Sequence, residues 1–109
     1  MYNSIALIPT VKEYEGGFGQ IFGGVVNAVI HNKLPVSFVP NDDGSVGLLD
    51  FEKRETVGRL YPSEAFGNIG VLDLSYIGAE REAFLDALVK EGVMLKSLDV
   101  VPPKAERSK

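Results

Sequence analysis

Apolar and polar positions along this chain follow two different periods. In "SIALIPTV", Ser4 to Val11, Ile5 and Leu7 share one side of an extended backbone, and Ala6 and Ile8 share the other. A strand that is apolar on both sides is one that is covered on both sides. Pro9 has no N–H to give a ladder, so the paired part is expected before it. From Phe18 the period changes. At about 100° per residue, Phe18, Ile21, Phe22, Val25 and Val29 gather on one side. Gln20, Gly23, Gly24, Asn27 and His31 fall opposite. This predicts an amphipathic helix over 18–33, with Pro35 as its stop. Val25, Val26, Val29, Ile30 and two interior glycines oppose helix formation, so a strand is the alternative.

Alternation returns in "PVSFVPNDDGSVGLLDFEK", residues 35–53, where Val36 and Phe38 precede Val46 and Leu48. Asn41 to Ser45 supplies turn chemistry, and Gly44 is free to take positive φ. The pattern predicts a hairpin. In 54–68 it is weaker: a short strand over Thr56–Tyr61, then one helical turn over Pro62–Phe66 closed by Gly67. Ile69 to Ile77 reads as a strand with Leu72, Leu74 and Tyr76 on one face and Val71, Asp73 and Ser75 on the other. "AEREAFLDALVKEG", 79–92, reads as a helix with Phe84, Leu85, Leu88 and Val89 as its stripe. Glu80 and Glu82 suit its first turn, Lys90 its last, and Gly92 its C-terminal cap. A last strand is expected over 93–101, ended by Pro102-Pro103.

The order β-α-β-β-(β)-α-β predicts an α+β fold. Its expected form is an antiparallel sheet of four to five strands with two helices on one face, in a ferredoxin-like arrangement. Residues 1–101 are expected to form a single domain, and 102–109 a disordered charged tail.

Composition narrows the functions to consider. Hydrophobic residues make up 45% of the 109, enough to build a core. Cysteine is absent, which excludes disulfides, zinc–thiolate sites and thiol nucleophiles. The net charge is −4, and the basic residues do not cluster, so nucleic acid is not an expected partner. The opening residues show no secretion pattern, and no apolar run reaches the length of a membrane span. A cytoplasmic location without a membrane partner is expected.

Candidate chemistry centres on "YEGGFGQIFGG", Tyr14 to Gly24, where five of eleven residues are glycine. Gly17-Phe18-Gly19 begins a dinucleotide fingerprint, but Phe22 stands where the third glycine belongs. Gly16, Gly17 and Gly19 still open a helix, where backbone N–H groups can face an anion; Glu13 and Glu15 oppose one. Gly23 and Gly24 sit opposite the apolar stripe, where glycine permits close approach by a neighbour. Together with Asn27 and His31 they form a candidate interaction surface, with a partner protein or a second copy as occupant. His31 lacks a nucleophile motif around it and reads as a surface histidine. Asp42-Asp43 fits a turn better than an ion loop. Asp50, Glu52 and Asp73 lie on strands whose register one sequence does not disclose.

The expectation is a small protein-interaction module, an inhibitor or regulator of another protein, with no catalytic residues, metal or cofactor, and with homodimer formation. The alternative is a small-molecule or nucleotide binder using the turn at 16–24.

Overall fold

The computed structural model describes residues 4–63 and 69–94. β1 (Ser4–Leu7) ends before Pro9, as a residue without a donor requires. The strand expected to reach Val11 therefore stops four residues short. Lys12–Tyr14 instead makes a 3-10 turn for which the apolar period gave no sign. α1 (Phe18–His31) confirms the helix over its strand alternative. Lys33 follows at φ 53°, and Leu34 N–H returns to Val29 O at 3.0 Å, closing the helix with a left-handed cap.

β2 (Val36–Pro40) and β3 (Val46–Asp50) form the expected hairpin. Gly44 takes φ 90°, and Asp43 accepts from the N–H and the hydroxyl of Ser45 at 2.9 and 2.6 Å. β4 (Glu55–Ser63) is longer than predicted. Pro62 and Ser63 belong to it rather than to a helical turn; the rest of that predicted turn lies outside the described residues. Pairing with β3 ends at Leu60, so Pro62 sits where β4 has β5 on one side only. β5 (Ile69–Leu74) and α2 (Gly78–Glu91) match their predicted centres, and Gly92 caps α2 at φ 89°. Val93 and Met94 are buried but not in a strand. The remainder of the expected last strand and the 102–109 tail lie outside the described residues.

The described residues form a five-stranded antiparallel sheet in the order β1-β5-β4-β3-β2, with two helices: an α+β fold. The ferredoxin-like ordering is not confirmed. β2 to β5 run as a meander, and β1 joins its far edge against β5, so α1 connects the two edges of the sheet.

Register defines the faces. Ile5, Leu72, Leu60 and Val46 lie opposite one another in turn across four strands, and all are buried. Gly70, on the same face, lies so close beneath α1 that a Cβ there would sit 3.2 Å from Ile21. This face and the helices enclose one core, in which Ile21, Val25 and Val29 of α1 meet Phe84, Ala87 and Leu88 of α2. Each buried aliphatic side chain contributes about 1.5–3 kcal/mol. The opposite face carries the row Ser4, Asp73, Arg59, Gly47 and Val39.

Candidate functional site

The glycine segment divides into glycines with a local reason and glycines without one. Gly17 caps the start of α1 at φ 125°, a conformation few other residues adopt. Gly16 lies under the side chain of Gln20; a Cβ there would come within 2.9 Å of Gln20 Cγ. A Cβ at Gly19 or Gly23 would meet no atom of the described residues within 4 Å.

Gly24 corrects the helical-wheel expectation. The wheel sets it on the outer side of α1, yet it is buried. A Cβ there would lie 3.1 Å from both Tyr14 Cε1 and Val93 Cγ1. A wheel shows the side facing the sheet, but α1 has a second neighbour. The 3-10 turn and the residue after the α2 cap fill the groove that Gly24 leaves.

Asn27 and His31 face that same neighbour. Asn27 Nδ2 donates to the Tyr14 hydroxyl at 3.2 Å, and the hydroxyl donates to Glu91 Oε2 at 2.7 Å. His31 Nδ1 pairs with Glu91 Oε1 at 2.9 Å, with the ring itself exposed. Bonds from Tyr14 and His31 hold the Glu91 carboxyl below its usual range. The hydrogen bond from Asn27 pulls the Tyr14 phenol down, but Glu91 and burial outweigh it and the phenol is raised. These four residues pin the 3-10 turn and α1 to the end of α2. Gly24, Asn27 and His31 are thus engaged within the chain, while Gly23 keeps open space beside it.

Asp50, Glu52 and Asp73 do not all converge: Asp50 ends β3 and Glu52 falls in the turn after it rather than on a strand, both lining one cleft, while Asp73 lies apart. Asp73 lies on the outer face and accepts from Ser4 Oγ at 2.5 Å. Asp50 lies on the helix side with only 2% of its surface exposed. Its Oδ1 accepts the N–H groups of Glu52 and Lys53 at 2.9 Å each, and its Oδ2 accepts the Tyr76 hydroxyl at 2.6 Å. The Tyr76 bond, then the backbone donors, keep this carboxyl below its usual range. Burial first, and then Asp50, raise the Tyr76 phenol well above its ordinary value, so it stays a donor. Above them Lys53 Nζ bonds Glu80 Oε1 at 2.6 Å and lies 5.5 Å from the Tyr76 ring centre. Leu34, Pro35, Ala83 and Phe84 complete a cleft of about 220 Å³. Sequence reading missed this cleft. Asp50 and Tyr76 are 26 residues apart, and no motif links them.

The outer face over β2, β3 and β4 carries a further concavity among the described residues, a groove of about 210 Å³ between Val39, Gly47, Leu49, Thr56 and Arg59. Val39, next to the end of the edge strand β2, is 46% exposed. The Arg59 guanidinium stacks 4.4 Å from the Tyr61 ring centre and approaches Asp43 at 3.6 Å. Among the described residues, no helix is long and apolar enough to cross a membrane. No family model, curated protein or solved structure matches this chain.

Proposed function

We propose that this chain is a non-catalytic protein-interaction module that receives a partner on the outer face of β2, β3 and β4. The observation that carries the reading is the bare groove between Val39, Leu49 and Arg59 on the side of the sheet away from the helices. Antiparallel sheets often leave one face to water, but that face is then polar. Here Val39 is exposed and Gly47 beside it adds no side chain, so apolar surface and backbone lie open. Arg59 and Tyr61 are side-chain types enriched in interfaces, and their stacking leaves less to order on binding. The partner this suits offers an apolar side chain for the groove, flanked by a carboxylate for Arg59. Regulation by occupancy follows from such docking. The polar clusters at Glu91 and Asp50 support a non-catalytic role, because their hydrogen bonds tie chain segments to one another.

The test is co-purification from the source cells with isotope-coded quantification. Val39→Glu combined with Leu49→Glu is compared with the parent and with Gln20→Glu on the helix side. A partner retained by the parent and the helix-side control but lost by the groove variant is the expected result. Identical partner sets for all three, with melting temperatures unchanged, would refute the assignment.

A further inference from the structure

We propose that the cleft between α2 and the 51–54 turn binds a small organic cation, an alkyl or arylalkyl ammonium. Its charge would take the place now held by the Lys53 ammonium, and its apolar body would lie against Pro35, Ala83 and Phe84. Four chain segments build this cleft: the α1–β2 connection, the turn after β3, the residues entering α2, and the first two turns of α2. Leu34, Pro35, Ala83, Phe84 and the Tyr76 ring give it an apolar lining, and the Tyr76 hydroxyl bonds the buried Asp50 carboxylate.

Charge complementarity selects the ligand class. Asp50, Glu52 and Glu80 line the cleft against the single ammonium of Lys53, so the lining is net negative. The position over Tyr76 is within reach of a cation–π contact, which operates within about 6 Å of a ring centre. Lys53 Nζ fills it at 5.5 Å. That occupant is held loosely, because the Lys53 and Glu80 side chains are 40% and 50% exposed and an ion pair so exposed contributes little. The chain therefore carries its own weak competitor for the site. The cleft also has room for such a body. A dry cavity of about 150 Å³ accepts benzene, so the cleft of about 220 Å³ takes one ring with a short aminoalkyl arm.

The experiment titrates the ¹⁵N-labelled full chain with phenethylammonium chloride at low salt. Two controls separate the contributions: 2-phenylethanol, with the same body and no charge, and methylammonium, with the charge and no body. Phenethylammonium is expected to give saturable shifts at the N–H groups of Glu52, Lys53, Ala83 and Phe84, with affinity about tenfold above either control. Lys53→Met is expected to tighten binding severalfold by removing the resident ammonium. Glu80→Gln is expected to weaken it, and the outer-face variant Val39→Glu to leave it unchanged. Equal binding of 2-phenylethanol, absence of saturation, or weaker binding by Lys53→Met would each overturn the proposal. None of these outcomes bears on the outer groove.

Discussion

Gly23 and Gly24 are adjacent in α1 and chemically identical, yet alanine is expected to act on them in opposite directions. In a helix interior, replacing glycine by alanine gains about 0.8–1 kcal/mol. At Gly23 the added methyl meets nothing among the described residues, so the full gain is expected. For a domain of this size that corresponds to a rise of roughly 4–8 °C in melting temperature. At Gly24 the methyl lands 3.1 Å from Tyr14 Cε1 and from Val93 Cγ1, tighter than ordinary contact. Neither neighbour yields easily. Tyr14 is buried and bound to Asn27 and Glu91, and Val93 is fully enclosed. Overpacking of this kind costs about 1–3 kcal/mol, which offsets the helix gain and ends between neutral and a loss of about 2 kcal/mol. Urea unfolding followed by circular dichroism, with unchanged slopes, measures both. The contrast between the variants, about 1–3 kcal/mol, is the decisive quantity. If Gly24→Ala stabilises as much as Gly23→Ala, the packing of Tyr14 and Val93 into that groove is refuted.

Three further outcomes follow from the same structure. Asp50 and Glu91 have lowered carboxyl values, so their stabilisation is complete above the unfolded value of about 4 and fades as pH falls through the folded ones. Melting temperature should therefore be flat above about pH 5 and drop below it, and Asp50→Asn should make that acid limb shallower; an unchanged limb counts against the linkage. Phe84→Ala empties a nearly fully buried site beside Tyr76 and should cost about 3–5 kcal/mol in chemical denaturation, with a loss below 1 kcal/mol contradicting its central place. Lys33 holds φ 53° at the end of α1, so Lys33→Gly should raise stability by about 0.5–1 kcal/mol, and a loss in calorimetry would argue against the left-handed cap.

Legibility tracked the range of the interactions. The Asn41–Ser45 turn, the stop of α1 ahead of Pro35, and the Gly92 cap all depend on neighbours within a few residues, and all were readable. The end of β1 ahead of Pro9 followed from a missing N–H. By contrast, the pairing of β1 with β5 joins Ser4 to Asp73, and the extent of β4 depended on how far β3 accompanied it. The burial of Gly24 required knowing that Tyr14 and Val93 converge on one groove.

The amino-acid order alone determined the centres of the two helices and five strands and the Asn41–Ser45 turn, because apolar period, proline and glycine act through local backbone geometry; it did not disclose the 3-10 turn at Lys12–Tyr14 or the length of β4. Tertiary structure decided the order of the strands, the inward turn of Gly24, and the meeting of Asp50 with Tyr76 and of Glu91 with Tyr14 and His31. Those contacts form only when distant segments pack, and their partners carry no spacing that a linear pattern could reveal.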